Sequence, residues 1–403
     1  GFRILLGEHP FKDYWIVSGP FVDYLQALFF YLFGVNWQSY ILQASFINAV
    51  LTITTFIVLR NFELNIYYSF IYSLLFSVLA YPSSGTPFVD HHSALFSLLG
   101  IYFLILALKV EKKLYWILLP IFFGFAFFSK LVPSSYVIIS AILILIYFSV
   151  LKKKYYWIKY SFFCSILFIL ILLIVGKSQG ISLSSFLEQY IFFPKTIGGQ
   201  RFDELNFTLR GVIGHYKFVY IAFIPLFYVN IKKIFSEKNY FKENDFFYFL
   251  CLFLFTFSLI FHQLLTKNQT FIFFLIPILT AFSHISLRVY KLNLTNPAYI
   301  VMVILCLFAT SKYHIRFNEE RKFHELNYVN FESFSFAKEI DEKFLGLKWI
   351  TPEYKNETQK EISHINQIKL HLYKDSRKKM LLTNYSFFSA ILNEKLFSPT
   401  RWH

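Results

Sequence analysis

Between residues 38 and 312 the chain is a nearly continuous series of apolar segments separated by short polar stretches. A helix needs roughly 20 apolar residues to cross the hydrocarbon core of a bilayer. Of the 403 residues, 56% are hydrophobic and 16% are charged, whereas an ordinary soluble domain carries about 25% charged residues. These features predict an all-α polytopic membrane protein.

About ten transmembrane helices are predicted, with bounds read from the apolar segments. The segments are residues 38–59, 64–81, 93–109, 114–129, 135–151, 157–176, 216–231, 246–262, 269–287 and 296–312.

The loops that follow alternate segments are rich in lysine and arginine. Their cationic residues are Arg60, Lys109, Lys112, Lys113, Lys152, Lys153, Lys154, Lys232, Lys233, Lys238, Lys242, Arg288 and Lys291. Basic loops remain on the cytoplasmic side of a membrane. The remaining loops, including the long loop over residues 177–215, are therefore predicted to face outward, and the net charge of +15 does not indicate binding to nucleic acid.

This orientation divides the chain into three parts. Residues 1–37 form a first outer loop that ends in an interfacial helix, residues 38–312 form the transmembrane domain, and residues 313–403 form a small outer domain of α/β or mixed structure. A chain that begins outside also predicts that a first helix is missing before Gly1, and both ends are interpreted as truncated.

The second outer loop ends in Asp90-His91-His92, directly before an apolar segment. Asp and His side chains are suitable ligands for a divalent cation such as Mg²⁺, Mn²⁺ or Zn²⁺. The alternative is that Asp90 accepts a hydrogen bond from the first turn of the helix and that the two histidines lie at the interface.

Lys130 lies between two apolar segments, where an ionisable group is costly and indicates a functional site. It is a candidate phosphate ligand, or else a lysine that extends to the interface. The opening loop offers His9 and Lys12 as substrate ligands and Asp13 as a general base. The alternative for these three is an ordinary solvated loop.

Two later outer loops supply further candidates. Lys195 and Arg201 flank a Gly-Gly pair that permits close approach to a diphosphate or a sugar. Lys267 and Gln269 offer a cation for phosphate and an amide for sugar hydroxyls. The alternatives are a surface loop and an ordinary polar turn.

Residues 1–8, 10–15, 19–25 and 32–34 resemble the first outer loop of GT-C glycosyltransferases. That superfamily includes the dolichyl-phosphate-mannose protein mannosyltransferase type and the bacterial aminoarabinose and lipopolysaccharide-core sugar transferases. Residues 129–133, Ser-Lys-Leu-Val-Pro, look like the Thr/Ser-Lys-x-Pro step of those proteins. The resemblance covers roughly residues 1–312.

The resemblance implies a hexosyl- or pentosyl-type glycosyltransferase. The donor would be a sugar on a polyprenyl phosphate, and the acceptor a lipid, glycan or protein. The principal acid of the family would precede Gly1. Asp13 lies in the same loop, and Asp90 and His91 lie where some members place a metal-binding acid.

Two other functions fit the membrane topology. An O-antigen ligase or polymerase would use one dominant outer loop, and a transporter would carry charges near the bilayer midplane and broken helices in paired repeats. The abundance of Lys, Asn, Ile and Phe suits an AT-rich genome. We therefore expect an integral protein of a bacterial inner membrane whose active face is periplasmic.

Overall fold

The computed structural model describes residues 1–81, 85–203, 208–267, 272–289, 296–320, 326–327, 329–380, 383 and 385–396. Over these residues it contains sixteen α-helices, numbered α1 to α16. They are Phe2–Leu5, Pro20–Phe33, Trp37–Asn61, Ile66–Ala80, Val89–Val110, Lys113–Ser129, Leu131–Lys152, Phe163–Ser178, Leu183–Phe186, Phe193–Asp203, Lys217–Ser236, Asn244–Thr266, Leu275–Val289, Asn296–His314, Thr358–Lys374 and Phe388–Leu392.

Shorter elements complete the secondary structure. Two strands, β1 (Ser335–Phe336) and β2 (Lys348–Trp349), pair antiparallel. The π-helical turns are Ile158–Phe162, Leu187–Phe192, Arg210–Gly214 and Ile315–Glu319. The 3-10 turns are Tyr240–Lys242, Phe331–Ser333, Ala337–Glu339 and Glu342–Phe344.

The prediction of an all-α polytopic membrane protein is confirmed. Each of the ten apolar segments coincides with a helix, and 7 helices of the described chain are long and apolar enough to cross a membrane. The other three segments form the shorter apolar helices α4, α6 and α13. The interfacial helix expected near residues 21–34 is α2, which begins at Pro20 because proline suits the first turn of a helix.

Helix α5 lies at the centre of the bundle. Its apolar window is 83% buried, whereas the corresponding window of Lys159–Ser178 is only 6% buried and is left to contact lipid. Gly100 allows α6 to approach closely, because a Cβ atom there would lie 2.3 Å from a ring carbon of Phe123. The central position of α5 means that groups at its two ends are held by several neighbouring helices.

The segment from α9 to α10 covers the opening loop. The buried side chain of Gln189 accepts a hydrogen bond from the Ile16 N–H at 3.1 Å and donates one to the Phe11 carbonyl at 3.0 Å. The Trp15 and Phe193 rings pack edge to face with centroids 5.3 Å apart. The loop predicted over 177–215 is therefore largely helical, and it fixes the opening loop above the bundle.

The C-terminal part has a core of its own. The two strands and α15 enclose buried side chains that include Ala337, Ile340 and Ile362. The Glu361 carboxylate accepts hydrogen bonds from Trp349 Nε1 and Thr351 Oγ1, both at 2.9 Å, and from the Tyr385 hydroxyl. This carboxylate is fully engaged in holding the small domain together.

Candidate active site

The first turn of α5 presents a buried carboxylate. Phe88 is extended immediately before the helix, and Asp90 is only 5% exposed. The end of the opening loop packs on this turn at Gly19, whose φ is 79°. A Cβ atom at Gly19 would lie 2.5 Å from Val89 Cγ1, so only glycine permits this contact.

Lys130 reaches Asp90 from the junction of α6 and α7. The backbone is extended there, with φ −162° and ψ 133°, so the helix is interrupted at this residue. The carbonyl of Lys130 accepts hydrogen bonds from Ser93 Oγ at 3.1 Å and Ser134 Oγ at 2.6 Å. Its Nζ lies 2.6 Å from Asp90 Oδ1, and its side chain remains 26% exposed. The ammonium group is thus fixed in direction yet reachable.

His262 completes the cluster from the last turns of α12. Its Nε2 lies 3.4 Å from the same Asp90 oxygen, and the ring is buried. His262 was not among the site residues predicted from the sequence. The available signal was its position at the outer end of the predicted span 246–262, level with Asp90 and Lys130.

Arg201 brings a further positive charge toward this cluster. It is exposed near the end of α10, and its charge acts on His262. The neighbouring Phe202 ring packs 6.3 Å from the ring of Phe261 on α12. Helix α10 therefore carries Arg201 to the same end of the bundle.

Two other predicted phosphate ligands are exposed at this end. Lys195 lies on α10, and Lys267 follows the last turn of α12 with φ 53°. Gln269, predicted to contact sugar hydroxyls, lies outside the described residues.

The predicted metal ligands do not converge. His92 Nδ1 lies 3.0 Å from the Phe88 carbonyl and His92 Nε2 lies 3.1 Å from Gln43 Nε2, so both nitrogens are engaged. His91 packs against the ring of Tyr81, with centroids 5.2 Å apart. No group of three His, Cys, Asp or Glu residues that could hold a metal occurs in the described parts of the chain.

The charge balance at Asp90 also disfavours a metal ion at this position. Its carboxylate is already neutralised by the ammonium of Lys130 at 2.6 Å, which would repel a cation placed beside it. Asp90, His91 and His92 thus do not form a metal centre in this arrangement, and the Asp90 carboxylate contacts Lys130 and His262.

The opening-loop candidates form a separate network. His9 Nδ1 lies 3.2 Å from the hydroxyl of Tyr24, which donates to Gln179 Oε1 at 2.7 Å. Burial raises the pKa of Tyr24 to about 12, so the hydroxyl stays protonated and can donate. These contacts tie the loop to the interfacial helix α2 and to the end of α8.

Asp13 is the accessible carboxylate of this loop. Its Oδ2 accepts a hydrogen bond from the His9 N–H at 2.8 Å and lies 4.0 Å from Lys12 Nζ. Among the described residues, no hydrogen bond or ion pair joins Asp13 to Asp90. The two predicted catalytic acids therefore have different surroundings, one open and one buried.

In a comparison with known protein families, residues 9–174 match the family model described as dolichyl-phosphate-mannose-protein mannosyltransferase. The matched stretch runs from the opening loop into α8 and contains Asp13, Asp90 and Lys130, whereas Arg201 and His262 lie beyond it. No curated protein and no solved structure matches the chain significantly.

Proposed function

We propose that this chain, which the family match supports as a membrane glycosyltransferase of the GT-C type, transfers a sugar from a polyprenyl phosphate to a lipid, glycan or protein acceptor. The reaction takes place where the opening loop, the start of α5 and the ends of α6, α10 and α12 meet. The basic loops lie at the opposite ends of the helices. Their position supports a periplasmic active face in a bacterial inner membrane.

One observation carries the proposal: Lys130 Nζ is held 2.6 Å from the buried Asp90 carboxylate while 26% of the lysine side chain stays exposed. A fixed cation at the rim of a low-dielectric site is suited to a charge that develops during a reaction. In sugar transfer from a polyprenyl phosphate, that charge develops on the phosphate oxygen of the leaving group. Lys130 is therefore assigned to the leaving phosphate, and Asp90 is a positioning residue for Lys130.

The exposed cations near this cluster are assigned to the same phosphate. Arg201 offers a planar guanidinium that can donate two parallel hydrogen bonds to phosphate oxygens. Lys195 and Lys267 lie at the same end of the bundle and add to the positive potential that attracts an anionic donor. His9 and Lys12 are assigned to the acceptor side, because they belong to the opening loop.

The acceptor requires a base, and Asp13 is the exposed one of the two predicted catalytic carboxylates. Its carboxylate takes the proton from the acceptor hydroxyl as the acceptor oxygen forms a bond to the anomeric carbon. The bond between that carbon and the phosphate oxygen breaks, and its electron pair leaves on the phosphate. A single displacement of this kind inverts the anomeric configuration.

The activity is tested by incubating the full chain, reconstituted in lipid vesicles, with polyprenyl-phosphate sugars and candidate acceptors. Mass spectrometry should detect a new glycosidic product and free polyprenyl phosphate. Failure with every donor, or uptake of substrate into vesicles without any new glycosidic product, would contradict the proposal.

The role of Asp13 is tested with Asp13→Asn. Loss of a general base lowers rates by roughly 10²- to 10⁴-fold, so kcat should fall by about 10²-fold or more. Glu188→Gln, which changes an exposed carboxylate on the covering segment, is the matched control and should leave kcat within about twofold of the wild-type value. Equal rates for the two variants would remove Asp13 from the mechanism.

A further inference from the structure

The end of the bundle opposite Asp90 contains a cavity of about 220 Å³. It lies among the ends of α3, α5, α11, α12 and α13, and the start of the loop after α3 contributes Glu63. Asp90 and Lys109 are both on α5, 19 residues apart, which corresponds to about 28 Å along a helix. The cavity is therefore separate from the proposed active site by nearly the thickness of a bilayer core.

Charged side chains form part of the lining of this cavity. Its cations are Lys109, Lys233 and Arg288, and its anions are Glu63 and Asp245. Lys233 Nζ lies 3.1 Å from Asp245 Oδ2, and an Arg288 nitrogen lies 4.0 Å from a Glu63 oxygen. Two of the cations thus have carboxylate partners, and the lining keeps one more positive than negative charge.

Lys109 is the cation without such a partner. It is half-buried, its Nζ lies 4.1 Å from the centroid of the Phe62 ring, and no carboxylate lies within 4.0 Å of it among the described residues. The ring accepts the positive charge on one side of the ammonium, while its hydrogen-bond donors remain available to an anion in the cavity. Lys109 is therefore the cation of this lining that has no carboxylate partner among the described residues.

The rest of the lining is largely apolar. Leu252, Phe282 and Ile285 form part of its wall, and Val289 at its edge is 51% exposed. A ligand that matches both the charged and the apolar lining residues has an anionic head and an apolar body. The cavity lies at the end of the helices where the basic loops occur, and anionic lipids are concentrated in the cytoplasmic leaflet.

We propose that this cavity binds the phosphate headgroup of an anionic membrane lipid, with Lys109 as the principal ligand and Lys233 and Arg288 as supporting cations. The phosphate supplies the partner that Lys109 lacks. The acyl chains leave the cavity past the exposed Val289 at the end of α13. This site does not depend on the proposed sugar transfer.

The test measures lipid binding to the purified full chain in detergent. Thermal unfolding is followed during titration with short-chain phosphatidylglycerol, phosphatidylcholine or inorganic phosphate. Phosphatidylglycerol should raise the unfolding temperature in a saturable manner, phosphatidylcholine of the same chain length should not, and inorganic phosphate should compete only at much higher concentration. Equal effects of the two lipids, or saturation by inorganic phosphate alone, would overturn the assignment to a lipid.

Variants identify the ligand residue. Lys109→Gln should weaken the binding of phosphatidylglycerol about tenfold, as expected for the loss of one charge-assisted contact. Lys109→Arg keeps the charge and should bind within about threefold of the wild-type protein, which shows that the position tolerates substitution. Lys152 is the last residue of α7 and lies at the same end of the bundle as Lys109. Lys152→Gln is therefore the matched control and should bind phosphatidylglycerol normally. Unchanged affinity of Lys109→Gln would overturn the proposal.

Discussion

A lysine lies near each end of α5, but its positive charge is compensated differently at the two ends. At one end Lys130 lies 2.6 Å from the buried carboxylate of Asp90. At the other end Lys109 lies 4.1 Å above the ring of Phe62. The first lysine is neutralised by the protein itself, whereas the second keeps a charge that an external anion can neutralise.

This difference corresponds to two kinds of task. A cation held by a buried carboxylate and by hydrogen bonds to its own carbonyl has little freedom, so it is already oriented when charge develops on a substrate. A lysine against an aromatic ring has no fixed hydrogen-bond acceptor and can reorient toward a ligand. We therefore expect the reaction at the Asp90 end of the bundle and lipid binding at the Lys109 end.

The largest effect is expected when the oriented cation at the Asp90 end, Lys130, is removed. Lys130→Met should lower kcat/KM by about 10³-fold, because the developing charge on the phosphate loses its stabilising partner. It should also lower the free energy of unfolding by about 3–5 kcal/mol, because Asp90 becomes a buried charge without its main partner. Transfer assays and chemical denaturation measure the two effects.

A double variant separates these two effects. Asp90→Asn combined with Lys130→Met removes both charges, so it should recover most of the stability but none of the activity. Lys177→Met, an exposed lysine at the same end of the bundle, is the matched control for activity. Recovery of transfer together with stability would show that the pair is only structural.

A smaller effect than that of Lys130 is expected at His262, which acts through Asp90. His262→Phe keeps the ring volume but removes the contact with Asp90 Oδ1, and kcat should fall about tenfold. Since the ring is buried away from the substrate, KM for the donor should change less than about twofold. His262→Gln retains a donor and should recover part of kcat. A change confined to KM, or no recovery by glutamine, would contradict a positioning role.

A smaller effect is expected where the opening loop is fixed. Gln189→Ala removes the two hydrogen bonds to Phe11 and Ile16, so the loop should become more accessible to protease and KM for the acceptor should rise about threefold to tenfold. Ser184→Ala, on the exposed part of the same segment, should change neither quantity. Unchanged proteolysis of the Gln189 variant would show that other contacts hold the loop.

The smallest effect is expected on removing metal ions. Asp90 is neutralised by Lys130 and not by a cation from solution, so EDTA should change the initial rate by less than about twofold. Rates measured after EDTA treatment and after return of Mg²⁺, Mn²⁺ or Zn²⁺ check this. A large loss that one of these ions reverses would mean that a metal replaces the lysine at Asp90 during the reaction.

Hydropathy predicted the helices well and the contacts between them only in part. The segment 135–151 begins later than α7, whose assigned bounds start at Leu131 although Val132 is still extended, with φ −126° and ψ 129°. The outer loop over 177–215 was predicted without helices, because its amphipathic residues lack a long apolar segment. Lys130 was recognised from its place between apolar segments, but its partner was not.

The metal site illustrates the limit most clearly. Asp90, His91 and His92 are adjacent in sequence, but successive residues on a helix point about 100° apart, so adjacency did not bring the three side chains together. Asp90 instead meets residues 40 and 172 positions away in the chain. His262 could not be paired with Asp90 from the sequence, since nothing local to either residue specifies which helices are neighbours.

Hydropathy alone predicted the number and approximate bounds of the apolar helices, and the positions of the basic residues predicted their orientation. In a bilayer each spanning segment must satisfy its own backbone hydrogen bonds. Hydropathy and the positions of lysines are therefore sufficient to predict the helices and their orientation. The packing of the bundle was needed to bring Asp90, Lys130 and His262 into one cluster and to leave Lys109 without a carboxylate partner among the described residues. Those facts depend on how distant helices pack, and packing is a property of the whole bundle and not of any single segment.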